Sequence, residues 1–263
     1  MQEIVIIDCL PESIQQYRKG YAVVVVDVIR ATTTAVTVVA TGGRCFPVHS
    51  IEAALQLAPK LDRPLLAGEL AGIMPEGFDL NNSPAELALR RDVSRPVILL
   101  SSSGTRLMQD AGHCEAAYVA CFRNFTAVAR YLVGRHPKVA IIGAGSRGEF
   151  REEDQMCCAW IAQDLIKAGY KPEDGKTEKI VQRWMGAPPS ACATGKSAEY
   201  LRRSGQLQDL DFVLTHINDL HTPFVIERGE VVMLPSGVET LQCEGEQLGI
   251  APAMTSHRGA FLA

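Results

Sequence analysis

Ala22-Val23-Val24-Val25-Val26-Asp27-Val28-Ile29-Arg30-Ala31-Thr32-Thr33-Thr34 is the stretch from which the fold can be read. Its first five residues form an apolar, β-branched run without polar alternation, as expected of a strand covered on both faces rather than one with a wet side. The run stops at a carboxylate, and a string of small polar residues with one arginine leads into a helical segment at about 34–41. A strand that ends in such a loop before a helix is the βα unit of an open α/β sheet, where ligands bind at the carboxyl ends of the strands.

Working outward, similar apolar runs occur at Ile4 to Ile7, Pro64 to Ala67, Val97 to Leu100, Ala116 to Cys121 and Val139 to Ile142. Helical patterns fall between them at about 51–59, 84–91, 124–134 and 153–168. Phe224 to Leu234, with Arg228-Gly229-Glu230 at its centre, reads as a hairpin. The expected fold is α/β: a three-layer α/β/α sandwich around a mostly parallel or mixed sheet, with a C-terminal hairpin. The polar stretch Lys171 to Lys179 reads as one loop, and no Pro/Gly/Ser-rich linker divides the chain, so one domain over residues 1–263 is expected. The tail from about Gln242 lacks periodicity.

Composition narrows the function classes. With 47% hydrophobic and 21% charged residues the chain is an ordinary folded domain, not a fibre or a disordered tail. The net charge of -4 is spread without like-charge blocks, which argues against nucleic acid or an anionic membrane as partner, and any anionic ligand must be held locally. No run reaches the ~18 apolar residues of a membrane span, and the N-terminus lacks a basic, apolar leader, so a cytoplasmic location is expected. The eight cysteines, at 9, 45, 114, 121, 157, 158, 192 and 243, form no Cys-x-x-Cys pair and read as reduced, mostly buried thiols. A homo-oligomer is left open.

The chemistry gathers in three strand-end loops: Asp27 to Thr34, Ser101-Ser102-Ser103-Gly104-Thr105-Arg106, and Gly143-Ala144-Gly145-Ser146-Arg147-Gly148-Glu149. Each sets one arginine among small residues, which lets an oxyanion approach backbone N–H groups while a planar guanidinium grips its oxygens. One such loop alone is as well explained as an ordinary turn; three together point to a multiply charged oxyanion. Carboxylates at comparable positions, Asp27, Glu69, Asp79 and Asp154, are hard oxygen donors of the kind Mg²⁺ takes, although Asp79 is equally a turn residue and Glu153 or Asp154 equally a helix cap. Ser83-Pro84-Ala85-Glu86 is a capping box, so Ser83 is structural first, with Asn82 beside it free to face the crevice. His216 and His221, five apart on an expected helix, read as ordinary surface or core residues.

Spacing removes several alternatives. No cysteine has an arginine six positions later, Asp27 is followed by Ile29 rather than a second aspartate, and His257-Arg258-Gly259 is not Arg-His-Gly, so thiolate, Asp-x-Asp and histidine phosphatase chemistries are absent. The Gly143 to Gly148 run fits a dinucleotide-binding Gly-x-Gly-x-x-Gly, an NAD-dependent oxidoreductase being the alternative, but no second strand ends in an acid about 20 residues on. A non-catalytic anion-binding protein is the other alternative.

Val26-Asp27-Val28-Ile29-Arg30-Ala31-Thr32-Thr33-Thr34, Gly68-Glu69, Gly77-Phe78-Asp79-Leu80, Asn82-Ser83-Pro84, Gly104-Thr105-Arg106 and Gly148-Glu149-Phe150 through Glu153-Asp154 together resemble the 2-phosphosulfolactate phosphatase family, in order and in spacing, over residues 1–235. The resemblance implies Mg²⁺-dependent hydrolysis of a small phosphate ester, 2-phospho-3-sulfolactate, to 3-sulfolactate and phosphate, as in coenzyme M biosynthesis. On that reading Asp27, Arg30, Arg106 and Arg147 are the catalytic candidates. The binding candidates are Thr32, Thr33, Thr34, Asn82, Ser102, Gly104, Thr105, Gly145 and Glu149, and the metal candidates Asp27, Glu69, Asp79 and Asp154. Leu70, Asn81, Ser103 and Cys158-Ala159 depart from the family's usual pattern, which leaves open another small anionic 2-phospho acid as substrate.

Overall fold

The computed structural model describes residues 2–235, so the reading of the tail from Gln242 lies outside the described residues. In chain order the elements are β1 (Ile4–Asp8), β2 (Ala22–Val26), α1 (Ala31–Ala40), β3 (Cys45–Val48), α2 (Ile51–Leu57), β4 (Leu65–Gly68), α3 (Pro84–Ala88), β5 (Val97–Leu100), α4 (Gly104–Ala111), β6 (Ala116–Ala120) and α5 (Phe125–Leu132). They continue with β7 (Lys138–Gly143), α6 (Glu152–Lys167), β8 (Lys171–Pro172), α7 (Gly175–Trp184), α8 (Lys196–Arg203), α9 (Leu207–Thr215), β9 (Phe224–Glu227) and β10 (Glu230–Met233).

All ten strands belong to one sheet, in the order β4-β5-β3-β10-β9-β6-β2-β7-β1-β8. It holds two parallel blocks, β4-β5-β3 and β6-β2-β7-β1-β8, and the β9–β10 hairpin is inserted between them by antiparallel pairing on both sides. Side chains of β2 alternate between the two faces. Val24 and Val26 pack with Met156, Ile161 and Leu165 of α6, whereas Val23 and Val25 pack with Ala35 and Val36 of α1 and Leu107 and Met108 of α4. Ile98 and Leu100 of β5 meet α2 through Ala54. Helices on both faces make the three layers read from the sequence, with each fully buried Val, Leu or Ile contributing about 1.5–3 kcal/mol.

Several local readings change. α1 begins at Ala31 rather than near 34 because Asp27 Oδ1 accepts the Ala31 N–H at 3.2 Å and Thr32 Oγ1 donates to the Asp27 carbonyl at 2.7 Å. Three threonines weaken the helical pattern, and a carboxylate four residues away starts the helix instead. Lys171 to Lys179 is not a loop: it gives β8 and the first turns of α7, whose N-cap Asp174 accepts the Thr177 N–H at 2.7 Å. α9 ends at Thr215, so His216 closes it and His221 lies beyond it. β3 was hidden by Pro47, which is tolerated because β10 pairs with β3 only at Cys45.

Candidate active site

β2 and β7 are neighbouring parallel strands, so their carboxyl ends open side by side. One carboxylate binds the two loops together: Asp154, in the first turn of α6, accepts the Val28 N–H through Oδ1 at 2.7 Å and the Gly145 N–H through Oδ2 at 3.2 Å. Both oxygens of this metal candidate are thus occupied by backbone. β4 and β5 are joined the same way, since Glu69 accepts the Ser102 N–H at 2.8 Å, the Ser102 hydroxyl at 2.9 Å and the Gly72 N–H at 2.6 Å.

Between these pairs of loops lies a cavity of about 720 Å³. Of the sequence-derived candidates, Asp27, Arg30, Glu69, Asn82, Ser102, Gly145, Arg147 and Glu149 line it. Arg106 is exposed on α4 and does not. Asp79 is also exposed and caps β4 by accepting the Leu66 N–H at 2.9 Å. Thr32, Thr33 and Thr34 are buried inside α1, where the Thr33 hydroxyl donates to the Val28 carbonyl at 2.7 Å and Thr34 Oγ1 has no partner. Thr105 closes the turn after β5 by pairing with Ser101. Gly104 acts by lacking a side chain, because a Cβ there would lie 2.1 Å from Asp27 Oδ2.

Arg30 is almost wholly buried. Its Nη1 donates to Asp209 Oδ2 at 2.6 Å and to Gln206 Oε1 at 2.5 Å, while Nη2 reaches Asn81 Oδ1 at 3.4 Å. Asp209, fully buried on α9, accepts the Ser83 hydroxyl at 2.6 Å and the Ala85 N–H at 3.1 Å through its other oxygen. The Ser83 cap read from the sequence is present, with Ser83 Oγ accepting the Glu86 N–H at 3.1 Å.

Negative charge accumulates opposite this arginine. Burial above all, with the carboxylates of Glu69 and Glu153 acting in the same direction and the Ala31 N–H and Arg30 opposing, raises the Asp27 carboxyl to about 7. Burial also raises Glu153 and Asp154, with Asp27 and Glu153 adding to the shift of Asp154. Glu153 is fully buried and neither carboxylate oxygen has a hydrogen-bond partner among the described residues. Buried carboxylates of this kind call for a cation or a proton. Among the described residues no three or more His, Cys, Asp or Glu side chains converge as a ready metal cluster. Mg²⁺, however, commonly takes only one or two carboxylates and fills its octahedron with water and substrate oxygens. Asp27, which lines the cavity with its Oδ2 beside Gly104, therefore fits Mg²⁺ better than Asp154 or Asp79, whereas Glu153 is buried and does not line the cavity.

The sequence reading passed over the far wall. Arg151, Lys196, Ser197, Tyr200 and Leu201 also line the cavity, most of them from α8, where a Gly-Lys-Ser start was the only local signal. Lys196 Nζ lies 2.5 Å from Glu149 Oε2, and Arg151 Nη1 lies 3.4 Å from the same oxygen. Tyr200 donates to the Gly72 carbonyl at 2.5 Å and so joins α8 to the loop after β4. The seven described cysteines are free thiols; burial raises the pKa of Cys157 and Cys158, which makes them poor nucleophiles. Among the described residues no helix is long and apolar enough to cross a membrane.

The 2-phosphosulpholactate phosphatase family model matches residues 8–223. A protein of Clostridium perfringens (strain SM101 / Type A) is 29% identical over 84% of this chain and 92% of its own length. One of Symbiobacterium thermophilum is 31% identical over 82% of this chain and 95% of its own. One of Pseudothermotoga lettingae is 40% identical over 59% of this chain and 66% of its own. All three carry the name "Probable 2-phosphosulfolactate phosphatase". With a match that runs from β1 to the start of the hairpin and takes in every loop of the cavity, the chain belongs to the 2-phosphosulfolactate phosphatase family.

Proposed function

We propose that this protein is a Mg²⁺-dependent phosphatase that hydrolyses 2-phospho-3-sulfolactate to 3-sulfolactate and phosphate, a cytoplasmic step of the coenzyme M type. The observation that carries the reading is one cavity lined by Asp27, a fixed Arg30 and an Arg147 that makes no ion pair among the described residues. A phosphate ester presents oxyanions to the arginines, and a carboxylate at the other side suits either a cation or the attacking water.

Asp27 would hold the metal, with the buried Glu153 carboxylate adding negative charge nearby. When bound, Mg²⁺ polarises a phosphoryl oxygen and lowers the pKa of coordinated water. Arg30, held in place by Asp209 and Gln206, grips phosphoryl oxygens and balances charge as water adds to phosphorus and the ester P–O bond breaks. Arg147 grips from the β7 side. Asp154 keeps the two loops in register through their N–H groups without touching substrate, and the Asn82 amide, buried with Oδ1 unpartnered, offers a further polar contact.

Phosphate release from 2-phospho-3-sulfolactate should stop in excess EDTA and return with Mg²⁺. Mg²⁺ should also raise the melting temperature of the stripped wild-type protein but not that of Asp27→Asn. Full activity in chelator would remove the metal from the reading, and binding of the substrate without phosphate release in Mg²⁺ would favour a non-catalytic anion binder.

A further inference from the structure

The cavity has two differently built walls. At the first, Arg30 and Asp27 are buried, Arg30 tied to Asp209 at 2.6 Å and Asp27 accepting the Ala31 N–H at 3.2 Å. At the second, Lys196 and Arg151 converge on one oxygen of Glu149, a carboxylate supplied by the protein itself. The Glu149 side chain is over half exposed and that of Lys196 more so, and an ion pair in that setting contributes little to stability. Glu149 sits at the end of a tight reversal in which Ser146 and Glu149 pair with each other and Arg147 and Gly148 take left-handed backbone. No hydrogen bond in the described residues fixes the Glu149 carboxylate apart from those to Lys196 and Arg151.

We propose that Lys196 and Arg151 form the subsite for the substrate's second anionic arm, its carboxylate or sulfonate, and that Glu149 occupies this subsite until substrate displaces it. The proposal rests on the phosphatase reading of the cavity. The side-chain carboxylate stands where a ligand oxyanion would be, on a lysine and an arginine that line the same cavity as Asp27. A substrate arm delivered together with a phosphate already gripped at Arg30 is an intramolecular competitor and replaces a weakly held side chain. Lys196 and Arg151 then set specificity by favouring phosphate esters with a remote anion over simple ones, and Glu149 sets how much affinity that arm contributes.

The test compares 2-phospho-3-sulfolactate with phenyl phosphate, which has no second anion, in wild type, Lys196→Met, Arg151→Met and Glu149→Gln. In Lys196→Met the ratio of kcat/KM for the two substrates should fall about tenfold or more, mainly through KM, as expected when a charge-assisted hydrogen bond to the remote arm is lost. Glu149→Gln should lower KM for 2-phospho-3-sulfolactate by a larger factor than it changes the phenyl phosphate KM. An unchanged ratio in both Lys196→Met and Arg151→Met overturns the subsite. Should wild type hydrolyse neither ester, the phosphatase reading fails, and calorimetric titration of 3-sulfolactate still decides the subsite. Binding weakened by Lys196→Met and tightened by Glu149→Gln upholds it, and equal affinities in all four proteins refute it.

Discussion

The loops after β2 and β7 begin alike in sequence, each a strand followed by small residues and one arginine, yet the fold treats them in opposite ways. In the β2 loop every polar group is enclosed: Arg30 is paired with buried Asp209, and Asp27 is buried and bonded to the helix it starts. In the β7 loop Arg147 is exposed, sits in left-handed backbone at φ 54°, and makes no ion pair among the described residues. A buried charge pair costs much to desolvate and is retained only with good geometry, whereas an exposed arginine costs little and is free to follow a ligand. One loop is thus enclosed and held rigid, and the other is open and free to adapt.

The strongest way to break this contrast is at Asp27. Asp27→Asn should lower phosphate release by about 10³-fold or more, the scale on which a central electrostatic group acts. It should also change the stability profile of metal-free protein. Burial raises the Asp27 carboxyl from 3.8 to about 7, so in that window the folded protein keeps a proton that the unfolded chain has lost. The stabilisation from this group is full below pH 3.8 and disappears as pH rises through about 7. Melting temperatures of stripped wild type should therefore fall from about pH 4 to about pH 7 through this group, and Asp27→Asn should flatten that fall. A retained slope would mean that other groups set it.

A smaller effect is expected at Asp209, which never touches the cavity. Asp209→Ala leaves Arg30 buried without its partner, which should cost about 3–5 kcal/mol, or roughly 10 °C in thermal unfolding. Arg147→Lys should be the mildest change. Its stability should stay within about 0.5 kcal/mol of wild type, while loss of the planar fork should raise KM for phosphosulfolactate. If Arg147→Lys destabilises as much as Asp209→Ala, the two loops are not built differently.

Eight of the ten strands, the three layers and the strand-end position of Asp27 were legible because they depend on local pattern: a valine run, helical spacing, a carboxylate at a strand end. The partners of those residues were not. Asp209 is 179 positions from Arg30 and reads locally as an acid in the first turn of an amphipathic helix, so nothing near it signals burial. Asp154 was read as a metal ligand because a carboxylate near a strand end can serve a metal as easily as a backbone N–H. Glu153, one residue earlier on α6, makes neither of the backbone hydrogen bonds of Asp154 and has no hydrogen-bond partner among the described residues, a distinction the sequence does not signal. Lys196 was missed because α8 is a short polar helix whose place over the cavity depends on tertiary packing, fixed in part by Tyr200 against Gly72.

The β9–β10 hairpin has a consequence for how the molecule comes into being. It is the last pair of strands among the described residues, yet it stands in the middle of the sheet. During synthesis, β4-β5-β3 and β6-β2-β7-β1 are therefore complete long before the segment that joins them has been made. Each meanwhile presents an open strand edge, at β3 and β6, to the surrounding solution. Glu69 and Ser102 belong to one half, Asp27 and Arg147 to the other, so a nascent chain released before Phe224 carries all the cavity residues but lacks the two strands that join the blocks into one sheet. Pulse-labelled chains ending near 223 should bind holdase chaperones and lack phosphatase activity, and chains that include Met233 should lose both properties together, in one late step.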